Sequence, residues 1–182
     1  VPLTMLDAEE ADFVVVEVGA NEVGEIEHLA QLVKPDVAVL TSIASAHLEG
    51  FGTIETILQE KTKLLQAVHE QGFVVVHDSV DLNGYSINCK TIAVGNSDSA
   101  HVNIQATMDQ DGYGEFTLQG SNCKLTLLGM HNAKNAAIAA VTVSELLTSL
   151  SVKHTLDELF AFAKIVQPPE GRMQPASVFG IQ

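Results

Sequence analysis

Two short stretches hold residues whose types and spacing could do chemistry. The first is Glu17-Val18-Gly19-Ala20-Asn21, a carboxylate followed by a glycine-relaxed turn that runs through Gly24. The second is Ala46-His47-Leu48-Glu49-Gly50-Phe51-Gly52, an imidazole and a carboxylate in a glycine-rich turn. A carboxylate and an imidazole in one crevice can hold a divalent cation, and carboxylate and water ligands favour Mg2+ or Mn2+. Each residue also has an ordinary explanation, since a strand-end Glu is commonly solvated and a His before a turn is commonly a satisfied structural residue. Three look-alike motifs fail. Residues 19–26 have the glycine spacing of a phosphate-binding loop but place Glu25 and Ile26 where Lys and Ser/Thr are needed. His47-Leu48-Glu49 has the H-x-E form of a zinc deaminase, but no P-C-x-x-C follows to complete the metal site. The dinucleotide fingerprint G-x-G-x-x-G is absent, which removes support for NAD binding.

The elements that must position these residues follow from apolar patterning. Phe13–Val16, Val37–Leu40 and Phe73–Val76 are short, β-branched runs bounded by polar residues or glycine, and they read as strands buried on both faces. Helical spacing lies between them, at Glu25–Val33 and Ile54–Val68. Strand, helix, strand, helix, strand implies a parallel sheet with right-handed crossovers, and ligands of such sheets bind beyond the carboxyl ends of the strands. Glu17 and His47 are expected at two such ends. After Lys90–Val94 the pattern changes to alternation at Val102–Met108, Glu115–Gln119 and Lys124–Leu128, joined by Asp111-Gly112 and Gly120-Ser121-Asn122, which is a small antiparallel meander. An alanine-rich helix over Asn132–Leu147 and a second one capped by Thr155, with Glu158 completing a capping box, follow. The fold class expected is therefore α/β, a mostly parallel sheet flanked by helices with a small antiparallel meander.

With 182 residues and 46% apolar content, the chain can bury one good core. No apolar run approaches the length of a membrane span, and Val1-Pro2 opens no secretory leader, so an unsecreted protein without membrane insertion is expected. Cys89 and Cys123 have no metal-ligand spacing and fit structural thiols in a reducing cytoplasm. A net charge of −14 without a basic cluster opposes nucleic-acid binding. A nucleotide remains compatible with that charge, because bound Mg2+ can provide the local positive field.

Four blocks in order, Glu17–Asn21 with Gly24-Glu25-Ile26, Ala46–Gly52, Gly129-Met130-His131-Asn132 with Asn135-Ala136, and Pro169-Glu170-Gly171-Arg172, resemble successive motifs of the Mur ligase family. The wording of the first two resembles its D-alanyl-D-alanine-adding (MurF-type) branch. The resemblance implies an ATP-dependent ligase of peptidoglycan precursor synthesis that acts on a UDP-muramyl tripeptide and D-Ala-D-Ala through an acyl phosphate. It implies that Glu17 holds the Mg2+ bridging the ATP phosphates and that His47 helps to hold a second. Lys61 matches the family lysine that CO2 carbamylates into a metal ligand; without the resemblance it reads as a solvated residue between Glu60 and Lys63. Asn135 matches the asparagine that contacts adenine and Arg172 the arginine that reaches ATP, while Asn21 and Glu49 face the peptide substrate or the metal shell.

The resemblance further implies that residues 1–167 are part of a central ATP-binding domain and 168–182 a linker toward a C-terminal domain. No phosphate loop of the family's form precedes Val1, so the chain alone is expected to be inactive. It is expected to be cytoplasmic and monomeric. A non-catalytic Mur-like interaction module and another amide ligase, such as folylpolyglutamate synthase, are the alternatives.

Overall fold

The computed structural model describes residues 1–8, 10–43 and 48–168, with the backbone alone at positions 7, 48 and 49. The chain divides into two compact units, Val1–Ile92 and Ala93–Gln182.

The first unit opens with a short helix, α1 (Pro2–Asp7), started by a proline at its first position, where the missing N–H costs nothing. Helix α2 (Glu25–Val33) follows Gly24, whose φ of 98° suits glycine alone. Strand β1 (Val37–Leu40) and helices α3 (Leu48–Phe51) and α4 (Ile54–Gln66) come next, then strand β2 (Phe73–His77). β1 and β2 pair in parallel, Val37 opposite Phe73 through Leu40 opposite Val76. Helix α4 lies against β1 and also packs on α2. The core is Ile26, Ala30, Ala38, Leu40, Ile57, Leu65, Val68 and the run Phe73–Val76. β2 is buried on both faces as expected, whereas β1 alternates, with Val39 37% exposed.

The expected first strand does not form. Residues 13–16 run without strand pairing, and Phe13 and Val15 are 60% and 94% exposed. β-branched residues favour an extended backbone, but a strand also needs a neighbour for its N–H and C=O groups, and no described segment pairs with this one.

Strand β3 (Lys90–Gly95) crosses the boundary between the units. In the second unit its end pairs in parallel with β4 (Val102–Met108), Val94 opposite Val102. β4, β5 (Tyr113–Leu118) and β6 (Ser121–Leu128) form the expected antiparallel meander. The alternating inward residues of β5, Gly114, Phe116 and Leu118, are buried. Helix α5 (Met130–Ser149) packs on β4, β5 and β6 through Ala133, Ala137, Ile138, Ala140 and Val141. Its approach is close: a Cβ on Gly114 would lie 3.0 Å from the Gly129 carbonyl oxygen and 3.2 Å from the Ala133 Cβ. Helix α6 (Leu156–Ala163) starts with the expected capping box of Thr155 and Glu158. Its Phe160 meets Phe116 edge to face, with ring centroids 5.2 Å apart. The fold class is thus α/β, with parallel strands and helices followed by the meander. No helix among the described residues is long and apolar enough to cross a membrane.

Candidate active site

The loop from Glu17 to Gly24 is shaped by two carboxylates. Glu25, in the first turn of α2, folds back so that one oxygen accepts from the N–H of Asn21 at 2.7 Å and of Glu22 at 3.1 Å. These two N–H groups hold the Glu25 carboxyl below its ordinary range. Glu60, from α4, accepts with Oε1 from the N–H of Gly24 at 2.8 Å and of Ile26 at 3.1 Å. Its other oxygen pairs with Lys63 Nζ at 2.9 Å, and Lys63 also reaches Glu27 at 3.3 Å. The N–H groups at a helix start ordinarily attract a bound anion. Here the chain's own carboxylates take them, which gives a structural reason why the glycine spacing of residues 19–26 is not a phosphate cradle.

The same loop touches a second motif. A Cβ added to Gly50, in α3, would stand 1.9 Å from the Asn21 carbonyl oxygen, so the backbones of the Glu17–Asn21 and Leu48–Gly52 segments are in direct contact. Gly52, with φ 79°, turns the chain into α4, whose N-cap Thr53 accepts from the N–H of Thr56 at 3.1 Å. Lys61 lies on α4 next to Glu60 and is exposed. Neither its side chain nor that of the exposed Glu17 makes a hydrogen bond or ion pair among the described residues.

One compact unit therefore brings together the loop bearing Glu17 and Asn21, the turn bearing Gly50, and the helix bearing Lys61. His47 lies outside the described residues, and Glu49 is described by its backbone only. Asn135 belongs to the second unit, where it is exposed on α5; its neighbour Asn132 is tied down, donating from Nδ2 to the Leu128 carbonyl oxygen at 2.8 Å. Arg172 lies outside the described residues.

Among the described residues, no group of three or more His, Cys, Asp or Glu could hold a metal. The donor set fits a cation of another kind. Mg2+ keeps most of its waters and is commonly bound by one or two carboxylates together with substrate phosphates, and Glu17 is an exposed carboxylate of that sort. Softer metals would need nitrogen or sulfur ligands, and burial pushes both thiols, Cys89 and Cys123, up and away from the metal-binding thiolate form.

Reading the sequence missed Glu60 and Gly50. Glu60 enters the sequence reading only as a charged neighbour of Lys61, yet it is 2% exposed. Its burial had a partial signal, since Glu60 stands three residues after Ile57 and four before Leu64 on α4, but its backbone partners had none. Gly50 gave no signal beyond being glycine.

The Mur ligase middle domain profile matches residues 1–143. The UDP-N-acetylmuramoyl-tripeptide--D-alanyl-D-alanine ligase of Escherichia coli is 35% identical over 96% of this chain and 40% of its own length. Among solved structures, MurF of Acinetobacter baumannii superposes with a TM-score of 0.75 at 24% identity, over 91% of this chain and 36% of that one. MurF ligase of Thermotoga maritima, in complex with ADP, superposes with a TM-score of 0.59 at 26% identity, over 82% and 35%. The chain spans about two fifths of the length of the curated relatives it matches. With the profile covering most of its residues, the chain belongs to the Mur ligase family, by that family's middle domain.

Proposed function

We propose that this chain is the central, ATP-handling part of a cytoplasmic, monomeric ligase that joins D-alanyl-D-alanine to a UDP-muramyl tripeptide in peptidoglycan precursor synthesis. The observation that carries the reading is the meeting of the Glu17–Gly24 loop, the Gly50 turn and the Lys61 helix in one unit of a Mur ligase chain. The relatives in Escherichia coli and Haemophilus influenzae bear the name of that activity.

In this reaction the terminal carboxylate of the peptide attacks the γ-phosphorus of ATP, ADP leaves, and an acyl phosphate forms. The dipeptide amine then attacks the acyl carbon, and the tetrahedral intermediate expels phosphate and loses a proton to give the amide. Bound Mg2+ provides positive charge at the transferred phosphoryl group, which a chain of net charge −14 does not offer by itself. Glu17 would hold one such ion, and His47 would help to hold a second. Lys61 would become a further ligand: its ammonium gives up a proton, and the free amine nitrogen then adds to CO2 and loses a second proton, which turns a cation into a carbamate anion. Asn135 offers an exposed amide to adenine, and Arg172 a planar donor to phosphate. Asn21 and Glu49 would serve the peptide substrate or the metal shell. Residues 1–167 belong to the central domain in this reading, and 168–182 lead toward a further domain.

The test uses the full-length protein carrying this segment. Phosphate release with ATP, Mg2+ and UDP-muramyl tripeptide is expected only when D-Ala-D-Ala is the acceptor, and not with D-Glu, diaminopimelate or glutamate. Release with glutamate and a folate would transfer the reading to a folylpolyglutamate synthase, and silence with every acceptor from a folded protein would leave an interaction module. Lys61→Ala should nearly abolish release, with partial recovery on adding short carboxylates that stand in for the carbamate; full activity in that variant would remove Lys61 from the site.

A further inference from the structure

Glu60 is a charged residue buried in the core, 2% exposed. A buried carboxylate is costly unless it is both paired and hydrogen-bonded, and replacing a buried ion pair with apolar side chains of similar volume is often neutral for stability. A leucine could not, however, accept a hydrogen bond. Both acceptor bonds of Glu60 Oε1 go to the backbone at the end of the Glu17–Gly24 loop and the start of α2. With the two bonds accepted by Glu25, four N–H groups between Asn21 and Ile26 are fixed by carboxylates, and Glu60 is the only one of the two acceptors that comes from α4. The next residue on α4 is Lys61.

From this arrangement we infer that Glu60 is a positioning residue: it fastens the loop that presents Glu17 to the helix that presents Lys61, and so sets the separation of these two proposed metal-holding groups. The inference rests on the ligase reading above. Lys63 has a subordinate part, neutralising the carboxylate so that it can stay buried. The negative charge itself is then dispensable, provided an acceptor oxygen remains at position 60.

Two double variants of the full-length protein separate positioning from stability. E60Q/K63M removes the ion pair and keeps an acceptor; E60L/K63M removes the ion pair and fills the same space with an apolar side chain. Two readouts are independent of turnover: Mn2+ affinity in the presence of a non-hydrolysable ATP analogue, by electron paramagnetic resonance, and amide exchange across residues 21–26. E60L/K63M should remain folded, exchange faster across 21–26, and bind Mn2+ about tenfold or more weakly, the range seen when a residue supporting a metal ligand is lost. E60Q/K63M should stay within about twofold of wild type in both readouts, on the same footing. Equal Mn2+ affinities in E60L/K63M and wild type would overturn the inference and leave the ligase reading standing. A wild-type protein that neither takes up Mn2+ nor releases phosphate would overturn both.

Discussion

Burial pushes the Glu60 carboxyl up, while the Lys63 ammonium and the N–H groups of Gly24 and Ile26 pull it down, and the net result lies below the usual glutamate range. A carboxyl lowered in the folded state contributes stability that is present above its ordinary value and is lost as pH falls through the lowered one. Wild-type protein should therefore lose more unfolding free energy than E60Q/K63M between neutral pH and about pH 3. Urea titrations at the two pH values check this, and equal losses would show that Glu60 is not held ionised. Gly50 makes a different demand. Gly50→Ala must drive the Asn21 carbonyl away, which should cost about 1–3 kcal/mol of stability. The same displacement should lower phosphate release about 100-fold, because small misplacements near reacting groups are amplified. Unchanged release in a folded Gly50→Ala protein would separate the Asn21 contact from the site. At this scale the sequence was only partly legible. The types at Glu17 and Lys61 suggested chemistry, but Lys61 could be singled out only through its resemblance to a family motif. Glu60 was hidden because its partners lie 34 and 36 residues away, a relation no local pattern encodes.

Elements whose causes are local were read well. Helix α2, strand β1, strand β4 and the capping box of α6 stand where spacing, glycines and cap residues put them. Thr155→Ala removes that cap and should cost about 1 kcal/mol, measurable as a shift in the denaturation midpoint. Phe160→Ala should cost about 3–5 kcal/mol, since Phe160 is buried edge to face against Phe116 and α6 has no other buried side chain. A loss below about 1 kcal/mol would mean that α6 contributes little to the second unit. Elements with non-local causes were read badly. Residues 13–16 have the composition of a strand and lack a ladder, and α3 is a single turn whose place is set by the contact of Gly50 with Asn21.

For the molecule as a whole, 23 acidic residues against 9 basic ones mean that folding compresses a large excess of negative charge. Screening should relieve that repulsion, so the melting temperature should rise by a few degrees, on the order of 3 °C, as NaCl is raised to about 0.5 M. A flat or falling melting temperature would show that the charges are already paired locally. The same excess charge bears on residues 13–16. Phe13, Val14 and Val15 are exposed, β-prone and uncharged, and they have no strand partner among the described residues. Two copies meeting there could zip together as intermolecular strands, and only long-range repulsion between the copies stands in the way. Salt thus acts in opposite senses on this chain: it steadies each copy while lowering the barrier to self-association. Light scattering of this chain should grow with both concentration and ionic strength, and Val15→Lys, a gatekeeper charge at the most exposed of these positions, should delay it.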